Sequence, residues 1–182
     1  MKKALGMIEF KTVSSGMKAA DRMVKTADVE LIQADTVCPG KFMALVSGDL
    51  SAVNAAVEAA AATDPEQLID KFVLGNPHES IFSALYGASE VNSPSALGIL
   101  ETFSVAAAIV AADTAAKTAL VDLIELRLAR GMCGKSYMLL TGEIAAVEAA
   151  IERAKQGAGE GGMFLDSAVI PRPDKKFWQN IL

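Results

Sequence analysis

The chain repeats itself, and that limits its fold more than any single motif does. Ala4-Leu5-Gly6-Met7-Ile8-Glu9 returns as Ala96-Leu97-Gly98-Ile99-Leu100-Glu101, 92 positions on (96 − 4). The offset holds through Ala19-Ala20-Asp21 against Ala111-Ala112-Asp113 and through Lys25-Thr26-Ala27 against Lys117-Thr118-Ala119. At Gly40-Lys41 against Gly134-Lys135 it has become 94 (134 − 40), so the second copy carries two extra residues before its turn. Gly48 then matches Gly142, and Ala55-Ala56 matches Ala149-Ala150. A period this long means one folding unit made twice. The domains are read as 1–90 and 91–182, joined near Gly87 to Pro94.

Each copy predicts the same order of elements. Ala4 to Thr12 alternates as a strand; Ser14-Ser15 can cap a helix, and Met17, Ala20, Met23, Val24 and Ala27 follow at helical spacing. Val29 to Val37 and Phe42 to Ser47 form a hairpin across Cys38-Pro39-Gly40, where Pro fixes φ and Gly accepts a positive one. Gly48-Asp49 opens a second helix, with Val53, Ala56, Val57 and Ala60 on one face, and Leu68 to Leu74 is a last strand. Asn76-Pro77-His78-Glu79 starts a short terminal helix, with Asn as its cap. The second copy places strands near Ala96, Val121, Ser136 and Met163, and helices from Ser104, Ile144 and Pro173. The order βαββαβ gives an α/β (α+β) fold: two tandem ferredoxin-like domains, antiparallel sheets with helices packed on them.

Composition excludes several function classes. A hydrophobic content of 52% and a mean hydropathy of +0.32 supply a core. Against 22 acidic residues stand 17 basic ones, and no basic run exceeds Lys2-Lys3 or Lys175-Lys176, so nucleic acid and acidic lipid are not expected partners. Lys2-Lys3 before Ala4-Leu5-Gly6-Met7-Ile8 opens like a signal peptide, but Glu9 and Lys11 end the apolar run too early. The expected location is the cytoplasm, where the two cysteines, Cys38 and Cys133, stay reduced or bind metal.

Motifs that suggest an enzyme each have a plainer explanation. Gly131-Met132-Cys133-Gly134-Lys135-Ser136 ends like a phosphate-binding loop, yet Ala129 stands where that loop needs Gly, and Tyr137-Met138-Leu139-Leu140 continues as strand. Gly157, Gly159 and Gly162 have dinucleotide spacing but follow a helix and precede a strand, which fits a mobile turn. The one histidine, His78, has no nucleophile motif to serve and is read as a solvated helix-start residue. Glu9 and Glu101 recur through the duplication. No enzymatic site is expected.

Cys38 is different because of where it sits. A lone thiol is ordinarily a small apolar residue, and one cysteine cannot hold an iron-sulfur cluster. Three chains around a threefold axis would bring three copies of Cys38 together, enough for three corners of a cubane.

The residues also carry a resemblance. Ala4-x-Gly6-x-x-Glu9, Ala20-Asp21-x-x-x-Lys25, Gly40-Lys41, Gly48-Asp49 and Val169-Ile170-Pro171-Arg172-Pro173 resemble bacterial microcompartment shell domains, here twice. More narrowly, Val37-Cys38-Pro39-Gly40-Lys41-Phe42 and the C-terminal Pro-Arg-Pro are similar to the tandem-domain, trimeric shell proteins of propanediol-utilisation compartments. The resemblance implies a homotrimer that imitates a hexameric tile and assembles with other shell proteins into a sheet around enzymes. It implies Cys38 as ligand of a [4Fe-4S] cluster at the central pore, one per trimer, with Pro39, Gly40 and Lys41 shaping the rim. Lys25, Lys117 and Arg172 fall where such domains meet neighbouring tiles. Cys133 lies one residue late against Cys38 and takes no ligand role.

The expected function is a structural shell tile that passes electrons across the shell, with an encapsulated redox enzyme as possible partner. A cluster-free metabolite pore and a trimeric small-ligand-binding regulator are the alternatives.

Overall fold

A computed structural model describes residues 4–91 and 94–181; Lys2-Lys3 and part of the Gly87 to Pro94 joint lie outside the described residues. The chain divides into two compact units, Met1–Pro77 and His78–Leu182.

The first unit runs β1 (Ala4–Phe10), α1 (Val13–Thr26), β2 (Val29–Val37), β3 (Lys41–Gly48), α2 (Leu50–Ala61) and β4 (Leu68–Leu74). Its sheet has the order β2-β3-β1-β4 with antiparallel neighbours throughout. Ile8, Phe10, Ala44 and Val46 on one sheet face meet Ala19 and Met23 of α1 and Val53, Ala56, Val57 and Ala60 of α2. Small residues let these layers approach closely. A Cβ on Gly6 would stand 2.6 Å from Val53 Cγ1 and 2.7 Å from Val57 Cγ2, so only glycine fits where α2 crosses β1.

Thr12 caps α1, accepting from the Ser15 N–H at 3.4 Å. The expected cap, Ser14-Ser15, lies inside the helix instead, and the Ser15 hydroxyl donates to Asp64 Oδ2 at 2.7 Å. In the second copy Ser104 caps as expected, accepting from Ala107 N–H at 3.1 Å. Thr12 and Ser104 are the same position of the repeat, and the hydroxyl that both share explains the cap.

The second unit contains α3 (Ser80–Tyr86), β5 (Ala96–Thr102), α4 (Val105–Thr118), β6 (Asp122–Leu128), β7 (Ser136–Gly142), α5 (Ile144–Glu160), β8 (Phe164–Ile170) and α6 (Lys175–Ile181). Its sheet order, β6-β7-β5-β8, copies the first. Even the register shift in β2, between Leu31 and Gln33, recurs in β6 between Leu123 and Glu125. α5 runs through Gly157 and Gly159 to Glu160, so the turn expected across 157–162 contracts to Gly161-Gly162, with φ +68° at Gly162.

The repeat and the packing part company at α3. By sequence it is the terminal helix of the first copy, yet it packs on β6 and α4 of the second unit. Ile81 and Ala84 are its buried residues. Asn76 is not its cap: Asn76 takes φ +56°, a left-handed turn residue, and the helix begins four residues on at Ser80. The His78 N–H donates to Asp113 Oδ1 at 2.7 Å, tying the start of α3 to α4. The His78 ring is half-buried rather than solvated, with Nδ1 2.8 Å from Ser80 Oγ.

Candidate functional site

The turn that joins β2 to β3 is three residues long, Cys38 to Gly40. Val37 before it and Phe42 after it are buried, while Cys38 is half-buried and Pro39 and Gly40 are exposed. Gly40 takes φ +91°, and its N–H donates to the Val37 carbonyl at 3.0 Å, closing the turn. The Cys38-Pro39 peptide is cis. The Cys38 thiol stands at the start of the three-residue turn.

Lys41 stands at the root of the turn rather than free at its rim. Its ammonium pairs with the carboxylate of Glu9, whose side chain is 5% exposed. Glu9 points from the central strand β1, so the ion pair ties the hairpin to the middle of the sheet. This is a use for Glu9 that the repeat alone does not reveal.

The corresponding turn of the second copy differs. It spans seven residues, 129–135, with positive φ at Ala129, Gly131, Cys133 and Gly134. Ser136 Oγ accepts from the buried Ala129 N–H at 3.1 Å, and the Lys135 N–H donates to the Met132 carbonyl at 3.1 Å. Cys133 is exposed on this longer loop. The thiols of the two copies therefore occupy unlike positions.

Among the described residues of one chain, no group of three or more His, Cys, Asp or Glu side chains could hold a metal ion. The donor set of a single chain does not fit a four-iron cluster. It fits one corner of it: a single accessible thiol on a short turn, which other chains would have to complete.

Lys25 and Lys117 end α1 and α4, each paired with the aspartate one turn earlier. Their settings are not alike. Asp21 and Lys25 are both largely exposed at 2.7 Å, whereas Asp113 is 9% exposed and also accepts from His78. Arg172 is exposed in the segment between β8 and α6.

The second hairpin carries a cluster that the motif reading passed over. Glu125 Oε1 accepts from Arg127 Nε at 2.9 Å and Nη2 at 2.6 Å, and Glu125 Oε2 accepts from the Tyr137 hydroxyl at 2.7 Å. The Arg127 guanidinium carbon stands 5.6 Å from the Tyr137 ring centroid. Burial, the hydrogen bond to Glu125 and its negative charge push the Tyr137 hydroxyl up to about 12. Strand alternation puts residues 125 and 127 on one face, and Arg127 pairs across with Tyr137. That spacing was the available signal.

Comparison with known proteins gives a consistent picture. The family model described as BMC domain matches residues 4–77 and 96–173. The chain is 39% identical over 182 residues to bacterial microcompartment shell protein PduT of Citrobacter freundii, covering all of this chain and 99% of that one. It is 28% identical to carboxysome assembly protein CcmO of Synechococcus, over 93% of this chain and 65% of that protein. A crystal structure of a microcompartments protein from Desulfitobacterium hafniense superposes with a TM-score of 0.94 at 41% identity, covering 98% of this chain and 99% of that one.

Proposed function

The chain belongs to the BMC-domain family and carries that domain twice, and from this premise we propose that it is a tile of a bacterial microcompartment shell whose central opening holds an iron-sulfur cluster. The coarse part of that reading, a structural shell protein, rests on two matched domains and on a full-length relative that is itself named a shell protein. No helix among the described residues is long and apolar enough to cross a membrane. Association with other shell proteins and location in the shell follow from the same relatives.

The finer part rests on one observation: the first copy alone sets a half-buried thiol in a three-residue turn. In a homotrimer three such turns would converge on the axis, and Cys38 of each chain would hold one corner of a [4Fe-4S] group. Pro39 and Gly40 keep the turn short and leave the thiol reachable. Lys41, held on Glu9, anchors the hairpin at its base. When bound, such a group supplies one-electron transfer, which suits passage of electrons across a shell to an encapsulated redox enzyme. Relatives the chain matches are named shell proteins, which is the ground for reading a wall rather than an enzyme.

The test is iron and sulfide content with a visible spectrum of anaerobically prepared protein. About one cluster per three chains is expected in the wild type and in Cys133→Ser, and none in Cys38→Ser. Colourless wild-type protein after cluster reconstitution would leave Cys38 as a pore residue and favour a cluster-free metabolite gate. Trimers that fail to assemble into sheets would instead favour the trimeric small-ligand-binding regulator.

A further inference from the structure

A helix that leaves its own copy of the repeat to cover the next one creates two unmatched surfaces. α3 belongs to the first copy by sequence and packs on α4 and β6 of the second unit. There Ile109 and Asp113 of α4 and Leu123 of β6 are buried, and α3 buries Ile81 and Ala84 in turn. The repeat equivalents in the first unit are bare. Met17 stands where Ile109 does and is 56% exposed, and Leu31 stands where Leu123 does and is 43% exposed. Asp21 is exposed where Asp113 is buried. The inner faces of the two helices do not differ in this way: Ala19 and Met23 of α1 are buried as Ala111 and Ala115 of α4 are. The contrast lies on the flank where His78 donates to Asp113.

α6 is left with the complementary surplus. Leu74 pairs with Leu5 and Ile170 with Leu97, so the segments after these strands correspond at an offset of 96 (170 − 74). That sets Phe177 against Ile81 and Asn180 against Ala84. Trp178 and Ile181 turn α6 onto an apolar cluster of its own unit. Phe177 stays 45% exposed, and Asn180 is exposed beside it. Among the described residues nothing buries that flank of α6.

We infer that α6 of one chain docks on α1 and β2 of a second copy of the chain, with Phe177 seated between Met17 and Leu31. The repeat names the occupant: the bare surface is the equivalent of the one α3 covers, and the helix with an unused apolar flank is the equivalent of α3. The charges change in step. α6 carries Lys175 and Lys176 where α3 carries Glu79 and Ser80, and the receiving side carries an exposed Asp28 where the second unit has Leu120. A buried aromatic side chain is the kind of residue on which interface energy concentrates. Helix and receiver are different surfaces, so the contact is head-to-tail, and such contacts close into rings where the rotation allows. The inference rests on the homotrimer of the shell reading and adds the surfaces that join its chains. It uses no residue of the Cys38 turn.

Sedimentation of the full-length protein tests it. The wild type should sediment as a trimer. Phe177→Asp and Leu31→Asp should sediment as monomers with unchanged far-ultraviolet circular dichroism, because each places a charge in an apolar seat. Each variant spoils one half of the contact and keeps the other. An equal mixture of the two therefore contains one sound pairing, the helix of Leu31→Asp on the receiver of Phe177→Asp, and should form dimers. Should Leu31→Asp unfold, Met17→Glu on the exposed flank of α1 reads the same surface with the same expected outcome. Trimers in both the helix and the receiver variants would overturn the inference and leave the homotrimer built on other surfaces. A mixture that stays monomeric would overturn it too, since the two surfaces would then not face each other. A wild type that is monomeric would overturn both the inference and the trimeric tile on which it rests.

Discussion

Lys41 and Tyr137 show how the same strand ladder serves two purposes in two copies. Lys41 enters β3 and spends its charge on Glu9, fixing a short turn. Tyr137 enters β7 and spends its proton on Glu125, and its hydroxyl titrates at about 12 instead of the usual 10.0. The folded state therefore holds that proton more tightly than the unfolded chain. The stability this contributes is complete below pH 10 and is lost as pH rises from about 10 to about 12. Phenolate absorbance should show one tyrosine ionising near pH 12, and Glu125→Gln should bring that step down. A titration unmoved by Glu125→Gln would mean burial alone sets it. At this scale the sequence was only partly legible. Cys38 stood out because thiols are rare here, whereas Glu9 and Glu125 look like any strand carboxylate until a partner is placed across the sheet.

Strands and helices were easier to foresee than the contacts between them. Apolar runs and helical spacing located all four strands of each copy, although β1 is buried at every residue and β3 at all but its two ends, so neither alternates. The cap of α1 slipped from Ser14-Ser15 to Thr12, since three hydroxyl residues within four positions offer the same signal and only backbone geometry chooses among them. Gly6 and Gly98 were visible as a repeated motif, but their reason is packing: each lies under a helix, where a Cβ at Gly98 would meet Leu140 Cδ1 at 2.7 Å and Val147 Cγ1 at 2.9 Å. Gly6→Ala and Gly98→Ala should each cost about 2 kcal/mol in urea unfolding, as overpacked cores do. Gly157→Ala, where a Cβ meets nothing within 4 Å in a helix, should cost nothing or stabilise slightly.

At the scale of the whole molecule the duplication was legible to the residue, including the two-residue insertion; that insertion, with one residue fewer at the turn end of each flanking strand, makes a seven-residue turn from a three-residue one. What pattern could not show is that the copies were adapted differently. If Lys25, Lys117 and Arg172 meet neighbouring tiles, Lys25→Ala and Arg172→Ala should reduce sheet assembly seen by electron microscopy while leaving the subunit folded. Lys117→Ala should act more broadly, because it also uncovers the buried Asp113 that holds His78. Wild-type sheet formation in all three variants would remove these residues from the edge.

The placement of α3 gives the chain a direction in time. On the ribosome, the six elements of the first unit are complete once β4 has emerged, so that unit can close while the rest is still being made. α3 follows at once, but its docking partners do not: after Tyr86 another 42 residues (128 − 86) must be synthesised before β6 is finished. At about 5–20 residues per second that is a wait of a few seconds with Ile81 uncovered. The first half of the nascent protein thus matures alone, and the second half begins with a helix made in advance of the surface that receives it.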